Sequence, residues 1–393
     1  MSRTTAARCL QGITVLDFTW AAVGPYATFL LRALGADVIR IESPLRSHLR
    51  RVTAGFYADL NAPKTSVLLD VTTPRGVDLA LRLAEHADVA VDNYRAGVME
   101  RLGLGEQALR ARNPRLVVVS ATAMGATGPE AAFGGYAPVF SALGGLAQLT
   151  GYPDAPPTEL RHPVDFALGA LVAAVTVAAL LRRQATGRGT YVDLSCREGA
   201  TQLVGESLID FQLTGRAPER AGNDDAIMAP HGVYPARGDD EWVSVAVSSD
   251  EEWCALARAI GRPELADDPS LGDAFLRWQR RAELDDLLTA WTRERPAVEA
   301  ATRLQEAGVA AAPSLSARGL FEDEHLAARR FASTRRRGGA ETTTIGVPWR
   351  LSGMQAKVAA GPGPAKARQA VFGGLLGLSP AEIRALRKDG VIG

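Results

Sequence analysis

The chain has 393 residues, long enough that two hydrophobic cores are expected in place of one. Lys plus Arg and Asp plus Glu both total 44, so the formal net charge is zero. That balance offers no basic surplus to a nucleic-acid backbone or an anionic membrane, and neither is expected as a partner. Three cysteines, Cys9, Cys196 and Cys254, are odd in number and lack Cys-x-x-Cys spacing, which predicts reduced thiols in a cytoplasmic protein. Met1 to Gln11 lacks the apolar core of a signal peptide, so export is not expected.

Along the first third, β-rich apolar runs alternate with helical patterns. Ile13 to Phe18, Ala36 to Glu42, Ser66 to Val71, Ala87 to Asn93 and Leu116 to Ala121 read as strands. Tyr26 to Leu34, Pro74 to His86 and Val98 to Arg112 read as helices, with Pro74 at a helix start and Asn113-Pro114 as a stop. This order predicts a mostly parallel sheet covered by helices, an α/β fold. Phe133 to Pro157, rich in Gly and Pro, predicts an ordered loop near a site. Phe166 to Leu181 is the most apolar stretch, shorter than the roughly 18 residues of a spanning helix, and reads as a buried helix.

Thr190 to Leu194 reads as another strand, and the irregular segment Thr214 to Pro235 marks a domain crossover. A second unit begins there, with a strand at Trp242 to Val247 and helices at Glu251 to Ile260, Ala282 to Arg293 and Ala297 to Ala307. Arg335-Arg336-Arg337 before Gly338-Gly339 reads as a solvated turn. Ser379-Pro380-Ala381-Glu382 is a capping box opening a short helix that stops near Gly390.

Several common chemistries lack support. Gly103-Leu104-Gly105-Glu106-Gln107-Ala108 matches a loose dinucleotide fingerprint but follows a helical segment instead of a strand. No Walker loop and no Gly-x-Ser-x-Gly elbow occur. His48, His86, His162, His231 and His325 make no metal-ligand pair at helical spacing, so no metal is expected. Asp165, in His162-Pro163-Val164-Asp165, stands directly before the long apolar helix. By residue type alone, capping the first turn is the commoner role, whereas beside a thioester the same carboxylate is a candidate nucleophile. Lys64 is the only Lys before Lys357, and a strand-entry surface charge is its simpler reading.

Stretches in order along nearly the whole chain resemble the family III CoA-transferases of the CaiB/BaiF type, a group that also includes α-methylacyl-CoA racemases. The resemblance is carried by Gly12-Ile13-Thr14-Val15-Leu16-Asp17, Gly24-Pro25, Leu34 to Glu42, Lys64, Leu69-Asp70, Ala87-Asp88-Val89 and Asn93-Tyr94-Arg95-Ala96-Gly97. It continues through Arg101 to Leu104, Asn113 to Leu116, Pro156-Pro157, Asp165, Gly169 and Thr186-Gly187-Arg188-Gly189. Ala229 to Tyr234, Trp253, Gly261-Arg262, Asp267-Asp268-Pro269 and Gly390-Val391-Ile392 complete it.

The resemblance implies a Rossmann-like large domain built from both chain ends, residues 1–215 and 329–393, and a smaller central α+β domain, residues 225–328, in an interlocked homodimer. It implies CoA transfer from an acyl-CoA to a carboxylic acid, with Asp165 as the nucleophile passing through an anhydride and an aspartyl-CoA thioester. CoA-binding positions carry over onto Ala22, Val23, Leu69, Asn93, Tyr94, Arg95, Arg101, Ala123 and Met124. No cofactor beyond CoA, itself a substrate, is implied. Two departures stand out: Ala22 replaces a Gln found beside the thioester in some members, and Gly222-Asn223-Asp224-Asp225 lacks a glycine-rich lid. The acid substrate is then expected to differ from small dicarboxylates.

The main alternative is the racemase branch, which needs a His opposed to Asp165; the expected position carries Gly135, and His162 and His231 are not expected to substitute. A non-catalytic CoA-binding protein is the second alternative, opposed by the retention of Asp165.

Overall fold

A computed structural model describes residues 8–44, 59–337, 340–352, 354 and 360–393. Met1 to Ala7, His48, Gly338-Gly339 and Lys357 lie outside the described residues. The chain divides into two compact units, the first made of Met1–Gln148, Thr158–Pro218 and Arg330–Gly393.

Six strands form its sheet: β1 (Thr14–Asp17), β2 (Asp37–Glu42), β3 (Thr65–Leu68), β4 (Val89–Asp92), β5 (Val117–Thr122) and β6 (Tyr191–Ser195). All pair in parallel, in the order β3-β2-β1-β4-β5-β6, with Leu16 facing both Ile39 and Ala90. The helices up to residue 214 are α1 (Val23–Ala33), α2 (Pro74–Glu85), α3 (Val98–Arg101), α4 (Glu106–Arg112), α5 (Ala137–Leu143), α6 (Leu146–Leu149), α7 (Arg161–Thr186), α8 (Cys196–Gln202) and α9 (Gly205–Thr214).

Alternation along the strands explains the layers. Val15, Val38, Val89, Val91, Val117 and Val119 join the core under α1, α5, α7 and α8. Leu16, Ile39, Ile41, Val67, Ala90 and Val118 join the opposite core, with α2, α4 and the C-terminal segment. Each fully buried aliphatic side chain contributes about 1.5–3 kcal/mol, so slipping one strand by a residue would forfeit several such terms. The chain end closes this second layer: Asp70 N donates to Val391 O at 2.8 Å, and Leu69 bridges Ile392.

Four local expectations are corrected. Val98 to Arg112 is two helices, because Gly103 adopts φ +75°, a left-handed turn that ends a right-handed helix. The Gly- and Pro-rich stretch contains the short helices α5 and α6, with Pro138 inside the first turn of α5, where a missing N–H costs nothing. α7 is long and apolar enough to cross a membrane by length and composition alone, yet one face packs on α1 while Leu171 and Leu181 remain exposed. The Arg335 to Arg337 cluster is strand, not turn: the strand Ala332–Arg337 pairs antiparallel with the strand Ala340–Ile345.

The second unit comprises Leu149–Pro157 and Glu219–Arg329. It holds an antiparallel sheet of three strands, His231–Pro235, Trp242–Ala246 and Ala310–Pro313, over a core including Trp253, Leu256, Leu288 and Trp291. At the C-terminus, Ser379 and Glu382 form the expected capping box on the helix Pro380–Lys388.

Candidate active site

In an open parallel sheet, ligands sit outside the carboxyl ends of the strands, where the strand order reverses. Here that point lies between β1 and β4, and a cavity of about 550 Å³ opens there. Residues just beyond β1 (Thr19 to Val23), β2 (Ser43), β4 (Asn93, Tyr94) and β5 (Ala123) line it, together with Gly135, Tyr136 and Phe140, and with His162 and Asp165 from α7.

α7 reaches this edge because Gly169 permits it. A Cβ at Gly169 would lie 2.7 Å from Val23 O and 2.9 Å from Tyr26 Cδ1, so only glycine lets α7 approach the first turn of α1 so closely. One turn earlier, the Phe166 ring meets Tyr26 edge-on at 4.4 Å. Asp165 is thereby set at the mouth of the cavity, but it is not a cap. Leu160 occupies the N-cap position without a side-chain hydrogen bond, and Asp165 stands in the second turn. Far from being favoured by a helix end, its carboxyl is pushed up to about 6 by burial. At pH 7 the ionised form still prevails roughly ten to one.

A second nucleophile type, missed in the sequence, shares the cavity. Cys196 begins α8 and is buried, and burial, with the nearby charge of Asp165 adding to it, pushes its thiol up to about 12. A thiol that stays protonated at neutral pH is a poor nucleophile, and of the two groups Asp165 is the one mostly ionised at pH 7. His162 also lines the cavity, contrary to expectation. It comes from the same helix face three residues before Asp165 and so does not oppose it. His231 belongs to the second unit, its Nδ1 2.8 Å from Asn223 O. Gly135 lines the cavity too, and a Cβ there would stand 2.9 Å from Ala123 Cβ, leaving no room for a larger residue without displacement.

The Lys64 expectation is overturned. Its Nζ is fully buried and lies within hydrogen-bond distance of four oxygens that share its three N–H groups: Asp17 Oδ2 at 2.9 Å, Thr28 Oγ1 at 2.7 Å, Asn61 Oδ1 at 2.8 Å and Pro25 O at 3.0 Å. Asp17 in turn accepts from Thr19 N and Thr19 Oγ1, at 2.8 and 2.5 Å. Burial opposes ionisation of Asp17, but Lys64 and Arg40 together hold its carboxyl below the ordinary value. The ion pair therefore anchors the turn that leads into α1. The next residue is pinned from the other side: Trp20 N donates to Asn93 Oδ1 at 2.9 Å, and Asn93 Nδ2 donates back to Trp20 O at 2.8 Å. Ala21 follows at φ +59°, and α1 then begins from Ala22 without a side-chain cap. Its first N–H groups are left for solvent or a ligand.

Of the positions carried over for CoA, Ala22, Val23, Asn93, Tyr94 and Ala123 line this cavity with Asp165. Arg95 lines a separate cavity of about 260 Å³ with Asp92, Glu100, Ser120 and Tyr191. Asp92 is buried there, and burial pushes its carboxyl up to about 7 although it accepts from Tyr94 N and Ser120 Oγ. Arg101 is exposed on α3, and Met124 is buried beside Gly135. Leu69 is fully buried in the core of the opposite face and lines neither cavity. No group of three or more metal-ligating side chains occurs among the described residues.

Residues 10–368 match the family model described as CoA-transferase family III. The chain is 33% identical over its whole length to the whole of a succinyl-CoA–D-citramalate CoA-transferase from Chloroflexus aurantiacus. It is 32% identical to a formyl-CoA:oxalate CoA-transferase from Streptomyces coelicolor, covering 98% of this chain and 100% of that one. Among solved structures, a CAIB/BAIF family protein from Brucella suis superposes with a TM-score of 0.83 at 27% identity, covering 93% of this chain and 98% of that one. On this match, over most of its length, the chain belongs to CoA-transferase family III.

Proposed function

We propose that this enzyme moves CoA from an acyl-CoA to a carboxylic acid through covalent intermediates on Asp165. The observation that carries this reading is the position of Asp165: a partly desolvated, mostly ionised carboxylate at the carboxyl edge of the sheet, beside the uncapped start of α1. Desolvation sharpens a carboxylate as a nucleophile, and burial is what raises the Asp165 carboxyl.

The chemistry balances without oxidant or ATP. An Asp165 oxygen attacks the donor thioester carbonyl, the C–S bond breaks, and CoA leaves as thiolate from an acyl-aspartyl anhydride. Thiolate attacks the Asp165 carbonyl of that anhydride, releasing the donor acid and leaving an aspartyl-CoA thioester. The acceptor carboxylate opens this thioester to a second anhydride, and the freed thiolate then takes the acceptor acyl group and restores Asp165. The free N–H groups at the start of α1 are suited to the charge that develops on carbonyl oxygen in each addition.

We assign CoA contacts to Ala22, Val23, Asn93, Tyr94 and Ala123, with Arg95, Arg101 and Met124 farther along the same edge. Asn93 has a second task, since its amide already holds the main chain of Trp20. We also assign a homodimer. α9 carries Leu208, Ile209, Phe211 and Leu213 with no buried residue, an apolar face that suits a second copy better than water. Sedimentation at nanomolar concentration that found folded monomer would contradict this assembly.

Racemisation has one observation in its favour, His162 in the same cavity. It needs two groups on opposite sides of the α-carbon, and His162 and Asp165 project from one turn while the Gly135 site is closed to a ring. The test uses Asp165→Ala and mass spectrometry of CoA esters. Wild-type enzyme given an acyl-CoA and a free acid should form the exchanged ester, and Asp165→Ala should lose at least about 10⁴-fold in rate. Rapid α-deuteration of a 2-methylacyl-CoA in deuterium oxide without acid-dependent exchange would replace this reading with the racemase.

A further inference from the structure

We propose that the acid handled by this site is a monocarboxylic acid with a bulky aromatic or branched aliphatic side chain, and that Trp20 sets this preference. The inference rests on the transferase reading above and names its substrate class.

Trp20 projects into the cavity immediately before the start of α1. Its ring meets that of Tyr136 edge-on, with centroids 5.7 Å apart and planes at 76°. Phe140, Pro138 and Ala123 extend the same wall. Such a surface offers shape and apolar burial to a ring or branched chain, and little to a polar group. Trp20 is also held in place. Asn93 fixes its N–H and its C=O, and Asp17 fixes the preceding Thr19, so the main chain beneath the indole is hydrogen-bonded on both sides. A pinned aromatic wall selects by shape more sharply than an adjustable one.

Charge points the same way. A dicarboxylate would bring, besides the carboxylate that reacts, a second anion that needs a counter-charge in the cavity. Among the described lining residues the one Arg or Lys is Arg40, and its guanidinium is nearly buried, 3.9 Å from Glu42, with its charge also directed at Asp17. Asp17, Lys64, Arg40 and Glu42 together form a neutral set, leaving the second carboxylate no uncommitted counter-charge among those residues.

The transfer itself is unchanged by this assignment. The donor C–S bond breaks, an acceptor C–S bond forms, and one carboxylate oxygen passes from acceptor to donor through Asp165.

The full-length enzyme is given acetyl-CoA as donor and 3-phenylpropionate, 4-methylpentanoate, propionate, succinate or oxalate as acceptor, and each new CoA ester is quantified by mass spectrometry. The kcat/KM for 3-phenylpropionate should exceed that for succinate by about 100-fold or more. In Trp20→Ala, the ratio of 3-phenylpropionate to propionate should fall by about tenfold or more, whereas Trp20→Phe should keep it within about threefold. A preference for succinate or oxalate overturns the inference and leaves the transferase reading standing. A ratio unchanged in Trp20→Ala, with KM raised equally for every CoA ester, also overturns it, since the ring would then serve CoA. Exchange with no acid in the panel overturns both.

Discussion

Asp17, at the end of β1, and Asp165, in the second turn of α7, are both withdrawn from water, yet their surroundings give them opposite properties. Asp17 sits against Lys64 and within reach of Arg40, and its carboxyl is held below the ordinary range in spite of burial. Asp165 meets burial alone, and its carboxyl rises to about 6. Asp92 rises further, to about 7, because it is more deeply buried than Asp165 and the bonds it accepts from Tyr94 N and Ser120 Oγ only partly offset the desolvation. Hydrogen bonds offset part of the desolvation, while an adjacent ammonium reverses it. The charge that holds a turn is paired, and the charge proposed to react is left facing the cavity.

This contrast can be broken at its paired end first. Lys64→Met strips the ammonium from a fully buried carboxylate and should cost about 3–5 kcal/mol of stability, measured by denaturant unfolding. The double variant Asp17→Asn with Lys64→Met should recover part of that loss, since neither charge then remains unpaired. A Lys64→Met protein as stable as the parent would mean that the network anchors nothing.

At the unpaired end the expected effects are smaller and of opposite sign. Because the folded-state value of Asp165 lies above its ordinary value of 3.8, the folded protein holds this proton more tightly than the unfolded chain. The stabilisation is complete below about pH 4 and is lost as pH rises through about 6. Asp165→Asn should therefore raise stability at pH 7 by about 1–3 kcal/mol and leave it nearly unchanged at pH 4. It removes no helix cap, since that position belongs to Leu160. In the wild-type enzyme, kcat/KM should fall about tenfold per pH unit below pH 6, as the nucleophile takes up its proton. A flat profile between pH 5 and 7 would separate the rate from Asp165.

Much of the fold was legible because it rests on local pattern. Alternating apolar runs and helical segments predicted all five N-terminal strands, and Pro74 marked the start of α2, where the Thr73 hydroxyl, not singled out in the sequence, accepts from Gly76 N. What failed depended on distance in the chain or on one backbone angle. Lys64 looked like a surface charge because its partners, Asp17, Pro25, Thr28 and Asn61, are set by the meeting of β1, α1 and β3, which no local window contains. Asp165 looked like a cap because the helix was taken to begin after it, whereas α7 starts at Arg161 and carries Pro163 within its first turn. His162 and Cys196 gave no motif. His162 could have been found from its spacing of three from Asp165, which puts both on one helix face. Cys196 reaches the cavity only because β6 pairs with β5. The nucleophile itself came from family resemblance, since an Asp near a helix start has a commoner structural role.

The most direct measurement is covalent capture. Enzyme is incubated with acyl-CoA in the presence of hydroxylamine, digested, and its peptides sequenced by mass spectrometry. If Asp165 carries the anhydride or the CoA thioester, the peptide containing it should be recovered as the hydroxamate, only when acyl-CoA is present, and turnover should stop in proportion to its formation. An unmodified Asp165 in enzyme that is actively exchanging CoA, or a hydroxamate on any other carboxylate, would contradict a nucleophilic Asp165 outright.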